Sequence, residues 1–153
     1  MRQEKIALLQ EELAGLQLAA SHLEYSVGRC RDLIGQDDLP PEQLERLESL
    51  TSRFARLADL LIQRSFRLID EIELEGGDTL LDRIYRAEKR GWADASDLIK
   101  IRELRNLIAH EYASEKMGEI YAAVASLSPI LLEVVPKVVA YGSNTSRFSR
   151  IAK

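Results

Sequence analysis

Four polar side chains that could carry chemistry lie within eight consecutive residues: Arg105, Asn106, His110 and Tyr112. The surrounding apolar pattern is helical, and at about 100° per residue Asn106 and His110 lie one turn apart on one face. Arg102 extends the same line by one turn, whereas Arg105 and Tyr112 share a line at the border of the apolar face. A guanidinium, an amide, an imidazole and a phenol therefore lie within two turns of one helix.

Histidine and arginine together suit the cleavage of an RNA phosphodiester without a metal. Histidine can move a proton at the 2′-hydroxyl or the leaving oxygen, because its pKa is near neutral pH. Arginine offers a permanent charge and a fork of donors to the pentacoordinate phosphate. Because Arg105 and His110 are five residues apart, they lie about 140° apart around the helix. Two copies facing each other across a dimer axis would make a shared cleft, so we expect a homodimer.

The octapeptide from Arg105 to Tyr112, RNLIAHEY, resembles the Arg-x4-His-x-Tyr signature of HEPN-domain proteins. It is most similar to the HepT-like toxins that pair with MNT-type minimal nucleotidyltransferase antitoxins. The helical composition, the chain length and the position of the motif near the start of the last third are also similar to that family. The resemblance spans about residues 1–141, although only the octapeptide is specific.

The resemblance implies a role for each residue of the motif. Arg105 and His110 match the family's catalytic ribonuclease pair, and Asn106 matches the supporting polar residue that follows the arginine. Tyr112 matches the tyrosine that the partner nucleotidyltransferase modifies with AMP from ATP. An adenylylated phenol would add bulk and negative charge at a cleft meant for RNA phosphate.

At the level of the whole protein, the resemblance implies the toxin of a type VII toxin–antitoxin system. Such a toxin is an endoribonuclease that cleaves a tRNA or an mRNA, and it has no cofactor of its own because the partner uses the ATP. A rival interpretation is a non-catalytic subunit that presents substrate to a nucleotidyltransferase. A third is a helical dimerisation module without chemistry.

Each residue of the motif also has a plain structural interpretation. Arg105 could form a salt bridge within the bundle, with Glu103 or with a neighbouring helix. His110 could be a half-buried histidine bonded to a backbone carbonyl, and Tyr112 could be an amphipathic anchor. The family spacing of the set favours the functional interpretation.

Further charged residues surround the motif without a spacing that assigns them a role. Lys100 and Arg102 are candidates for contacts with the RNA backbone, or they belong to a solvated face. They are part of a basic set that consists of Arg83, Arg86, Lys89, Arg90, Lys100 and Arg102. The acidic residues that could accept a hydrogen bond from the arginine or the histidine are Asp70, Glu71, Glu73 and Glu75.

Composition limits the class of protein. The chain has 153 residues, 46% hydrophobic and 30% charged, which suits one domain that needs no disulfides. A single cysteine excludes a Cys-rich zinc site, and with two histidines we expect no multi-histidine metal centre. The net charge of −4 argues against a general nucleic-acid coating protein but allows a local basic site.

The elements that must position the motif are helices. Apolar residues recur every three or four positions, and Phe66 is slightly off this phase. The pattern predicts an up-and-down all-α bundle of four to five helices, with Pro129 or Pro136 kinking the last one. The predicted helices cover about residues 2–34, 42–74, 79–90, 94–113 and 116–141.

The domain prediction is one helical domain over residues 1–141, followed by a loose polar tail over residues 142–153. The most apolar stretch, Ile120–Tyr141, contains Glu133 and Lys137. We therefore expect an internal helix there and no membrane association. The N-terminus lacks the apolar core of a signal peptide, so we expect a cytoplasmic protein.

Overall fold

The computed structural model describes residues 2–73, 79–110, 114–144 and 146–148, with the side chains of 114–116 excepted. No strand occurs in these ranges, so the prediction of an all-α bundle is confirmed. The six α-helices are α1 (Arg2–Cys30), α2 (Pro41–Ala58), α3 (Phe66–Ile72), α4 (Leu80–Lys89), α5 (Ala95–His110) and α6 (Ser114–Ser143). A short 3-10 turn, Arg31–Leu33, follows α1.

The helices α2 and α3 are two parts of one rod, and a π-helical segment, Asp59–Ser65, joins them. The backbone N–H of Phe66 binds the carbonyl of Leu61, five residues earlier. An α-helix would make that bond over four residues, so the wider turn takes up one extra residue. This geometry explains why Phe66 falls off the helical phase in the sequence and is nevertheless fully buried.

Local sequence sets the helix ends. Pro41 is the first residue of α2, where its fixed φ is favourable and its missing N–H costs nothing. Thr79 caps α4, and its hydroxyl exchanges hydrogen bonds with Asp82 in a capping box. After α4, Gly91 has a φ of 81°, and the N–H of Trp92 binds the Ala87 carbonyl at 3.1 Å. This is the left-handed stop that glycine favours.

The core is formed by the facing sides of all six helices. The helix α1 packs mainly against α2 and α6, and α5 packs against α2, α4 and α6. Trp92 lies between Phe66 and Tyr141, with ring centroids 5.2 Å from each. The largest fully buried side chains include Phe54, Phe66, Phe148, Leu9, Leu16, Leu23, Leu47, Leu50, Leu57 and Leu61.

The last helix is longer than predicted, and two residues of the expected tail, Gly142 and Phe148, are buried in the bundle. Helix α6 is continuous through Pro129 and Pro136 and ends at Ser143, while the expected kink at a proline stays a prediction. Gly142 is buried against α1, because a residue without a side chain allows the two backbones to approach. Phe148 is fully buried, and its carbonyl accepts a hydrogen bond from Arg2. The ring of Phe148 belongs to the core, which explains its place beyond the predicted boundary.

Helix α6 is also the most apolar element of the bundle. The most apolar 18-residue window of its stretch Met117–Ser143 has a mean hydropathy of 1.7, and by length and composition this helix could cross a membrane. About 33% of the most apolar window is buried inside the protein. In the structure the helix packs against α1, α2 and α5, with Val124, Leu131 and Val138 fully buried.

Candidate functional site

Helix α5 carries the motif and is anchored by its apolar face. Leu98, Ile101 and Leu104 are buried, as the periodicity predicts, and Ile108 is partly buried. On the polar side Arg102 and His110 are exposed, while Arg105 and Asn106 are half-buried. The helix therefore holds residues 105–110 of the motif at or near the surface.

The guanidinium of Arg105 pairs with the carboxylate of Asp59, the first residue of the π-helical segment. Nε donates to Oδ1 at 2.7 Å and Nη2 donates to Oδ2 at 2.9 Å, a bidentate arrangement. The hydrogen bond to Asp59 raises the pKa of Arg105 above its ordinary value, against the opposing effect of burial. Of the two structural interpretations of Arg105, the neighbouring-helix partner is confirmed, and the partner is not Glu103.

Arg105 lies at the wall of a cavity of about 330 Å³ between α5 and the π-helical segment. One wall is formed by the end of α2 and the π-helical segment, and the other by α5. The lining residues are Ala58, Asp59, Ile62, Gln63, Arg64, Arg102, Arg105 and Asn106. Among these described residues, three arginines face one carboxylate, although Arg64 also lies 3.5 Å from Glu12. Because three arginines outnumber the one carboxylate, the charge of this lining favours an anion over a cation.

The amide of Asn106 lines the same cavity and contacts the arginine beside it. The Nη1 group of Arg105 lies 3.4 Å from Oδ1 of Asn106, at the long end of the hydrogen-bond range. The amide nitrogen of Asn106 is a further donor on the wall. The cavity wall therefore contains Arg102, Arg105 and Asn106 from α5, together with Asp59, Gln63 and Arg64.

His110 is exposed near the C-terminal end of α5 and does not line this cavity. Within one chain the arginine and the histidine therefore face different surroundings, in agreement with their angular separation on the helix. Tyr112 lies outside the described residues. Lys100 is exposed on α5 and does not line the cavity.

Two members of the basic set point into the protein. Arg86 and Arg90 donate to the two carboxylate oxygens of Asp70, at 2.9 and 2.7 Å. Arg83 is half-buried and donates to the carbonyl of Ile62. Arg86 and Arg90 therefore stabilise the bundle, and of the basic set only Arg102 lines the cavity.

The acidic residues considered from the sequence have other partners. Asp70 binds Arg86 and Arg90, and Glu73 accepts hydrogen bonds from Arg90 and from the Tyr141 hydroxyl. Glu71 lies near Lys5 and Arg67, and Glu75 lies outside the described residues. The carboxylate that contacts the motif is Asp59 instead. The sequence analysis missed Asp59, because its contact with Arg105 is made through tertiary packing and not through local spacing.

Comparisons of the chain with protein-family models, with curated proteins and with solved structures find no match. Within the described ranges, no group of three or more His, Cys, Asp and Glu side chains could hold a metal ion. Function must therefore be inferred from the residues of the cavity and of α5 themselves.

Proposed function

We propose that the protein is a HEPN ribonuclease toxin of the HepT type, which cleaves RNA with Arg105 and His110. The observation that carries this proposal is the position of Arg105. It belongs to the family-like octapeptide, and it lines an open cavity whose wall also contains Arg64 and Arg102. A permanent cation with a fixed orientation at such a cavity is what stabilisation of a phosphorane requires.

The proposed reaction transfers the scissile phosphate within the RNA. The 2′-oxygen forms a bond to phosphorus, the bond to the 5′-oxygen breaks, and the products carry a 2′,3′-cyclic phosphate and a 5′-hydroxyl. His110 takes the proton from the 2′-hydroxyl or gives one to the leaving 5′-oxygen. Arg105 binds the non-bridging oxygens as their charge increases.

The proposed site is shared between two copies of the chain. Arg105 and His110 lie about 140° apart on α5, so one copy alone does not aim both at one phosphate. In a dimer, the arginine of one copy can act with the histidine of the other. Helix α5 also exposes Leu107, an apolar side chain suited to an interface.

Mixed dimers test this arrangement. Arg105→Ala and His110→Ala chains, each inactive as a homodimer, are co-expressed with different tags, and the heterodimer is purified. Each heterodimer contains one intact arginine and one intact histidine on different chains, so we expect it to regain RNA cleavage. Heterodimers as inactive as their parents would refute a shared site.

Expression in cells separates the toxin from its main rival, the non-catalytic subunit of a nucleotidyltransferase. We expect the protein to arrest growth and to degrade RNA when it is expressed without a partner, and His110→Ala to abolish both effects. Harmless expression with intact RNA would favour the substrate-binding subunit.

We further propose that an MNT-type nucleotidyltransferase silences the toxin by adenylylating Tyr112. The phenol attacks the α-phosphorus of ATP, pyrophosphate leaves, and the phenolic oxygen carries AMP. Intact mass spectrometry after incubation with the partner and ATP should show added AMP, and Tyr112→Phe should show none. An unmodified wild-type chain would contradict this proposal.

A further inference from the structure

The way in which Arg105 is held leaves part of its guanidinium available. A guanidinium has five N–H donors, and Asp59 accepts from Nε and from one hydrogen of Nη2. Among the residues that the structure describes, the edge formed by Nη1 and the second Nη2 hydrogen has only the long contact to Asn106. That edge is a second fork, with the geometry to bind two oxygens of one phosphate.

The carboxylate of Asp59 is carried by a backbone that the packing of the bundle holds in place. Asp59 begins the π-helical segment, whose wider turn places Asp59, Gln63 and Arg64 along the same wall of the cavity. Its position in a continuous rod that is anchored by buried Leu57 and Leu61 fixes the backbone. The side chains of Arg105 and Asp59 are 34% and 39% exposed. Without the ion pair, Arg105 could therefore adopt many rotamers.

From these contacts we propose that Asp59 is a positioning residue, which directs the free edge of Arg105 toward the scissile phosphate. This inference rests on the proposed ribonuclease function and adds the residue that orients its cation. Asp59 does not touch the RNA. It also keeps the guanidinium from folding back on the helix when no substrate is present.

Removal of the Asp59 carboxylate should change different kinetic parameters, depending on whether its role is positioning or simple electrostatics. A negative charge beside the cavity opposes the binding of RNA phosphate, so its loss alone should lower KM. Loss of orientation should instead lower kcat, because a misplaced cation no longer matches the transition state. The two effects can be separated in one set of kinetic measurements.

The test compares Asp59→Asn, Asp59→Ala and Asp59→Glu with the wild-type dimer on a fluorescent RNA. Glu103→Gln is the matched control, because it removes one negative charge from an exposed position of α5. We expect Asp59→Asn and Asp59→Ala to lower kcat roughly tenfold to hundredfold, with KM unchanged or lower. Asp59→Glu keeps the carboxylate and should restore part of kcat, and Glu103→Gln should keep the wild-type kcat.

Three outcomes would overturn the inference. A kcat within twofold of wild type in Asp59→Asn, while Arg105→Ala is inactive, would refute positioning and leave the ribonuclease proposal intact. A higher kcat would show that Asp59 competes with substrate for Arg105. A wild-type protein that does not cleave any RNA would refute the proposed function itself and the inference with it.

A spectroscopic measurement tests the contact between Arg105 and Asp59 without relying on catalytic activity. In the wild type we expect a protected arginine Nε–H resonance in the ¹⁵N spectrum, assigned through its absence in Arg105→Ala. Asp59→Asn should remove the protection, and Glu103→Gln should keep it. A resonance equally protected in Asp59→Asn would show that Arg105 is oriented by something else.

Discussion

Asp70 offers the clearest test of how the bundle is stabilised. Its side chain is 1% exposed, and it accepts hydrogen bonds from Arg86 and Arg90, which are 17% and 13% exposed. Arg90 also binds Glu73, and its guanidinium lies 5.1 Å from the centre of the Trp92 ring. The substitution Asp70→Asn keeps the size of the side chain and removes the charge that both arginines need.

The expected loss in the free energy of unfolding follows from the burial of Asp70 and its two arginine partners. Removing one member of a buried ion pair costs about 3–5 kcal/mol. A domain of this kind has a free energy of unfolding of about 5–15 kcal/mol, so the loss is a large fraction of the total. The corresponding fall in Tm is roughly 6–20 °C for a chain of this length.

Urea denaturation followed by circular dichroism measures this loss at pH 7. The exposed variant Glu103→Gln serves as the control, and its free energy of unfolding should stay within about 0.5 kcal/mol of wild type. If Asp70→Asn were within about 1 kcal/mol of wild type, the buried network would not stabilise the bundle as argued.

Three further substitutions test the packing of the C-terminal part. In Gly142→Ala the new Cβ would lie 2.7 Å from Cδ1 of buried Leu13, so we expect a loss of about 1–3 kcal/mol, whereas Gly15→Ala, with open space around it, should stabilise slightly. Phe148→Ala should cost about 3 kcal/mol or more by urea denaturation if the ring is part of the core, and almost nothing if the tail is loose. Burial and the hydrogen bond to Glu73 raise the pKa of Tyr141, so the folded state holds this proton more tightly than the unfolded chain does. Its contribution is complete below the ordinary tyrosine pKa of about 10 and is lost as pH rises through the folded value. The free energy of unfolding should therefore fall more steeply above about pH 10 in wild type than in Tyr141→Phe, and equal slopes would contradict this assignment.

Much of the fold follows from local sequence signals. The apolar period predicts each long helix. The observed helix ends agree with the predicted ones where the sequence contains a start or stop signal, as at Pro41 and Gly91. The tail was harder to predict, because Phe148 is a single ring among polar residues and only its tertiary contacts show that it is buried. No local pattern distinguishes such a residue from an exposed one.

The candidate site was predictable only on α5. The spacing of Arg105 and Asn106 is a property of one helix, whereas Asp59 lies 46 residues away and meets Arg105 through the packing of α2 on α5. The slightly off-phase Phe66 agrees with the π-helical segment, but it does not identify Asp59 as the partner of Arg105. The sequence grouped Arg86 and Arg90 with the basic residues near the motif. In the structure both pair with the buried carboxylate of Asp70 instead.

The most direct test of the central claim is cleavage of a defined RNA by the purified wild-type dimer in the presence of EDTA. We expect products that end in a 2′,3′-cyclic phosphate and a 5′-hydroxyl. We expect none from Arg105→Ala or His110→Ala, both folded by circular dichroism. Intact RNA with the wild type, or cleavage that persists in both variants, would contradict the account.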